Sequence, residues 1–95
     1  MRTFELTAEE ADALGKALWH ALAHGLVDVK ELDMAKKITK KLLAKMADLV
    51  IERKATGKMR FTLSEISFMA DLLDGYWETG SPAFRRIFDQ IRRAG

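Results

Sequence analysis

Cysteine and asparagine are missing from the 95 residues, Gln90 is the only glutamine and Pro82 the only proline. Without Cys there is no disulfide framework and no thiolate metal site. A single Pro with six Gly excludes a collagen-like or linker-like chain. No apolar run approaches the roughly 18 residues of a membrane span, and no basic, apolar, small-residue leader stands at the N-terminus. The expectation is a soluble, cytoplasmic protein with no membrane contact. Scarce amides beside many Lys, Arg and Glu are a pattern of heat-adapted proteins, which the five Met oppose.

What is present describes one globular domain, residues 1–95. Hydrophobic residues make up 48% and charged residues 32%, too apolar for a disordered chain and ordinary for a folded one. The net charge of +2 gives no global field that would gather nucleic acid.

Hydrophobic spacing reads as a mostly α, four-helix domain. Thr3-Phe4-Glu5-Leu6 alternates, and Thr7-Ala8-Glu9-Glu10 has the form of a capping box. Ala11, Leu14, Leu18, Ala21 and Leu22 then recur at helical spacing, and Gly25 suits a helix end, so the first helix spans Ala8 to His24. Asp28 is the candidate cap of a second helix. Its stripe is Val29, Leu32, Ala35, Ile38, Leu42, Met46, Leu49 and Val50, broken only at Ala55-Thr56-Gly57. At about 1.5 Å per residue it would approach 40 Å, longer than its own neighbours can cover.

Lys58 to Leu63 alternates again, and Ser64-Glu65 is the expected cap of a third helix with Ile66, Met69, Ala70, Leu73, Tyr76 and Trp77 inward. Thr79-Gly80 would end it. Ser81-Pro82 opens a fourth helix, with Phe84, Ile87, Phe88 and Ile91 on one face. Phe4-x-Leu6-Thr7 is echoed by Phe61-x-Leu63-Ser64. This favours a β-α-α-β-α-α order in which two short strands pair. Trp19, Phe68 and Leu72 fall off the helical faces. The opener Phe4-Glu5-Leu6-Thr7-Ala8-Glu9-Glu10 resembles that of many small phage and mobile-element proteins, which implies a phage-like origin.

Chemistry is sparse. His20 and His24 are four apart on one helix face but lack the third and fourth ligands that zinc needs. No Ser has a His near it in sequence, no glycine-rich phosphate loop precedes Gly57-Lys58, and Asp71 and Asp74 belong to a solvated helix face. No enzyme, metal, cofactor or small-molecule substrate is therefore expected. Charge is more telling. Residues 30–60 hold ten Lys or Arg against four Asp or Glu, whereas residues 1–29 hold two against five. Lys36, Lys37, Lys40, Lys41 and Lys45 form a basic helix ridge, and Arg85, Arg86, Arg92 and Arg93 a second cluster. Successive i, i+4 lysines repel by a few tenths of a kcal/mol per pair, a cost that suits a surface meeting phosphate or an acidic protein. With Trp19 as an interfacial anchor, these residues point to a protein-interaction module, a small regulator or inhibitor of a larger enzyme or nucleoprotein complex. The alternative is a nucleic-acid-binding regulator. Surplus apolar side chains on the second helix and beside Trp19 lead to the expectation of a homodimer.

Overall fold

Two short strands and four α-helices follow the expected order in a computed structural model that describes residues 1–74 and 81–94. They are β1 (Arg2–Leu6), α1 (Ala8–Ala23), α2 (Leu32–Ile51), β2 (Gly57–Phe61), α3 (Leu63–Leu73) and α4 (Pro82–Ala94). The expected positions of Tyr76, Trp77, Thr79 and Gly80 lie outside the described residues. No described helix is long and apolar enough to cross a membrane.

β1 pairs antiparallel with β2, Phe4 opposite Met59 and Leu6 opposite Gly57. Alternation puts Phe4, Leu6, Met59 and Phe61 into the core and leaves Thr3, Glu5, Lys58 and Arg60 outside. An isolated two-stranded ribbon is marginal, so these four side chains hold it to the helices, with the Phe4 and Phe61 rings 5.7 Å apart. The core they join contains Leu14, Leu18, Ile38, Leu42, Ile66, Met69, Ile87 and Ile91, all fully buried. α1 is central and packs against both α2 and α4.

Each strand delivers the chain directly into a capping box. Thr7 Oγ1 accepts from the Glu10 N–H at 3.1 Å, and Glu10 Oε1 accepts from the Thr7 N–H at 2.8 Å. Thr62 and Glu65 repeat the same pair of bonds at the same distances. The cap of α3 is therefore Thr62 rather than the expected Ser64, and Leu63 belongs to the helix and not to the strand, with its side chain exposed. The true internal echo aligns Thr-x-x-Glu with Thr-x-x-Glu. Phe4 to Met59, Thr7 to Thr62 and Glu10 to Glu65 all span the same 55 residues. Because Phe4 and Met59 also face each other in the ribbon, the two β-α openings are related by a local two-fold about that pair.

The second helix is shorter than its apolar stripe implies. Val29–Glu31 is a single 3-10 turn, Asp28 makes no side-chain cap bond, and Val29 is 80% exposed. α2 proper has 20 residues, about 30 Å at 1.5 Å per residue. It ends at Ile51, ahead of the expected break. Lys54 N–H donates to Leu49 C=O and Arg53 N–H to Val50 C=O, with Arg53 at φ 54°. These are the bonds of a helix end closed by one left-handed residue, the arrangement that Gly25 (φ 67°) makes after α1. Val50 and Ile51 are consequently exposed. Phe68, expected off the α3 face, is buried instead. Thr39 is tolerated inside because its hydroxyl donates to Ala35 C=O at 2.8 Å.

Gly57 allows α2 and β2 to come together: a Cβ there would sit 2.8 Å from Leu49 Cδ2 and 2.9 Å from Lys45 Cε. The helix ends make two stability predictions. Thr62→Ala should lower unfolding free energy by about 1 kcal/mol in urea titration, the usual worth of an N-cap, while Ser64→Ala leaves the midpoint nearly unchanged. The reverse order would place the helix start at Ser64. Arg53→Gly should raise stability by up to roughly 1 kcal/mol, since Gly adopts the left-handed region without the steric cost; a lower melting temperature would contradict that helix ending.

Candidate functional site

Two surfaces of different chemistry flank α2. The first lies where α1 crosses it. Ala11, Leu14, Leu18 and Ala21 turn α1 inward, so Trp19 falls on the flank and is 65% exposed. Gly15, one turn earlier, has no side chain to fill the space beside the indole, and its position faces Leu42 and Leu43 of α2. The result is a shallow, largely apolar depression lined by Asp12, Gly15, Lys16, Trp19 and Leu43. Leu43 is itself 42% exposed, and Asp12 pairs with Lys16 at 3.0 Å on the rim. Sequence singles out Trp19 but not its hollow, because Gly15 and Leu43 meet only through packing.

The second surface is the groove between α2 and β2, lined by Lys41, Lys45, Asp48, Lys58 and Arg60 among others. It forms because the chain turns back immediately after α2, which brings the strand's cations beside those of the helix. Lys41 Nζ donates to the Arg60 carbonyl and lies 4.7 Å from the centre of the Phe61 ring, so it covers the outer edge of β2. At the edge of β1 the corresponding carbonyl, that of Glu5, accepts from Gln90 Nε2 of α4 at 3.5 Å. Side-chain cover of this kind, charged at the β2 edge and neutral at the β1 edge, protects an exposed strand edge from pairing with another chain.

The expected basic ridge is therefore divided. Lys41 and Lys45 are half-buried against β2, whereas Lys36, Lys37 and Lys40 are exposed. Arg85, Arg86, Arg92 and Arg93 are exposed on α4, across α1 from the lysines, so the two clusters do not form one surface. Arg86 Nε meets the buried Glu10 Oε2 at 3.3 Å, and Arg92 lies 5.8 Å from the Phe88 ring. Lys54 bonds Glu52 at 2.9 Å. That bond holds the Glu52 carboxyl below the usual carboxylate range and raises the Lys54 ammonium. Lys37, Lys45, Lys58 and Arg60 form no ion pair among the described residues.

The His20 and His24 rings lie 4.0 Å apart, and among the described residues no group of three or more His, Asp or Glu is placed to hold a metal ion. No family model matches the chain, and neither a curated protein nor a solved structure matches it. Elemental analysis after chelator-free purification should find no stoichiometric transition metal. Stoichiometric zinc lost in His24→Ala would show that the pair recruits further ligands.

Proposed function

We propose that the chain is a non-enzymatic protein-interaction module, a small cytoplasmic regulator or inhibitor of phage-like origin that acts on a larger enzyme or nucleoprotein complex. The observation that carries this reading is the exposed Trp19 over the hollow between Gly15 and Leu43. A large rigid ring beside an apolar depression is the form of an interface hot spot, where truncation costs about 2 kcal/mol or more.

The occupant that suits this face is a second copy. α2 returns antiparallel to α1, so Glu9 and Asp12 at the start of α1 stand diagonally opposite Lys36 and Lys40 at the start of α2. A two-fold axis in the plane of the face, perpendicular to that diagonal, lays the acidic corner of each copy on the basic corner of the other. Such isologous contacts are the commonest route to a closed dimer.

Sedimentation equilibrium at tens of micromolar should give twice the 10.8 kDa chain mass. Trp19→Ala should weaken the dimer roughly 30-fold, the equivalent of about 2 kcal/mol. A monomer at that concentration contradicts the dimer. A pull-down from the native host in which Trp19→Ala keeps every partner contradicts the interaction module itself.

A further inference from the structure

The Trp19 face leaves the basic groove unexplained, and the groove's chemistry differs in kind. We infer that the α2–β2 groove binds the phosphodiester backbone of a nucleic acid, through Lys37, Lys41 and Lys45 on the helix and Lys58 and Arg60 on the strand. This site is separate from the Trp19 face and does not depend on it.

Three observations carry the inference. First, the cations form a track. Lys37, Lys41 and Lys45 succeed one another at about 6 Å of helix rise; Lys41 and Lys45 line the groove with Lys58 and Arg60 of β2, and exposed Lys37 stands one turn beyond it. Second, the cations outnumber the carboxylates beside them. Asp48 is the one carboxylate lining the groove, and Glu5 lies across the ribbon from Lys58. The molecule as a whole is nearly neutral, at +2, while residues 30–60 hold ten basic against four acidic groups. A chain that needed lysines only for solubility would gain by interspersing them with acids. Third, the groove offers no bulky apolar anchor. Protein interfaces have an apolar core inside a polar rim, yet no large exposed apolar side chain lines this groove, and Met59 beneath it is buried. Phosphate needs only positive charge and donors.

Lys41 also sets the geometry. Its bond to the Arg60 carbonyl and its place over Phe61 hold one of the groove's cations against β2. The track is therefore partly preorganised rather than a set of loose side chains. Contacts to phosphate carry no sequence information, so binding through them should be strongly salt-dependent and largely indifferent to sequence.

Fluorescence anisotropy tests this with the full chain and labelled 20-base-pair duplex DNA of mixed sequence, with duplex RNA and a single strand as parallel arms. Binding is expected in at least one arm, with dissociation constants of roughly 10⁻⁶ to 10⁻⁴ M near physiological salt and a linear fall of log affinity with log salt. Lys37→Glu with Lys58→Glu, both at exposed positions, should remove about two units from that slope, at roughly 0.9 per phosphate contact. Arg92→Glu with Arg93→Glu on α4 should leave the slope unchanged. Circular dichroism of both double variants should match the wild type. Where the Lys58 change disturbs the ribbon, Lys37→Glu alone on α2 replaces it and should flatten the slope by about one unit. Absence of binding at 50 mM salt in every arm overturns the inference. So does an equal loss from the α4 arginines, which would make the effect one of overall charge. Competition by polyglutamate at equal charge as effective as unlabelled nucleic acid would reassign the groove to an acidic polypeptide.

Discussion

Pairing Arg2–Leu6 with Gly57–Phe61 closes the chain around α1 and α2, and most of the remaining structure depends on that closure. The loop-closure entropy is substantial but grows only slowly with length, and ten residues of ribbon do not offset it alone. Burial of Phe4, Leu6, Met59 and Phe61 supplies the remainder, each apolar side chain contributing about 1.5–3 kcal/mol when fully removed from water. The ribbon in turn fixes the starts of α1 and α3, because Thr7 follows Leu6 and Thr62 follows Phe61 without an intervening loop. It also creates the basic groove: β2 cannot pair with β1 without lying along α2, and Gly57 is the residue that lets it lie that close.

The two halves are alike at the ribbon and diverge away from it. Both β-α openings use the same buried alternation and the same Thr-x-x-Glu box, and the outward carbonyl of each strand accepts from a helix side chain, Gln90 in one case and Lys41 in the other. Beyond the boxes the pattern separates. α2 is 20 residues long and carries the lysines, whereas α4 has 13 and buries one face through Phe84, Ile87, Phe88 and Ile91 while its arginines stay exposed. Glu10 has an arginine partner, Arg86, supplied by α4. Both proposed binding surfaces lie in the divergent part: an apolar depression on one side of α2 and a cationic groove on the other.

Much of the fold is legible in the residues themselves. The caps at Thr7 and Ser81 and the end at Gly25 follow from local chemistry that tertiary packing does not override, and the paired ribbon from the matched alternation of its two segments. Three departures have identifiable causes. Val29 lies in phase with the α2 stripe, so periodicity assigns it to the helix, although it belongs to a 3-10 turn. Arg53 is no helix breaker by type, and its left-handed conformation is imposed by the return to β2. Leu63 continues the strand alternation, which hides Thr62, yet Thr62-x-x-Glu65 is the pair with capping-box spacing and Ser64-Glu65 is not. For the sites, sequence identifies the cations and Trp19 but not their grouping. Five lysines that read as one ridge are split by helical phase between two surfaces, and Lys58 and Arg60 join them only through strand pairing.

The ribbon register is the claim on which the groove, the two helix starts and the local two-fold all rest. Amide hydrogen exchange followed by NMR reads it residue by residue. With the Glu5 and Arg60 carbonyls turned outward, Phe4 and Met59 form a hydrogen-bonded pair and exchange both backbone bonds. Their amides should be protected to the level of core helix residues, while those of Glu5 and Arg60 exchange far faster. Uniformly fast exchange across residues 2–6 and 57–61 would contradict the account, because the two segments would then be unpaired leaders of their own helices.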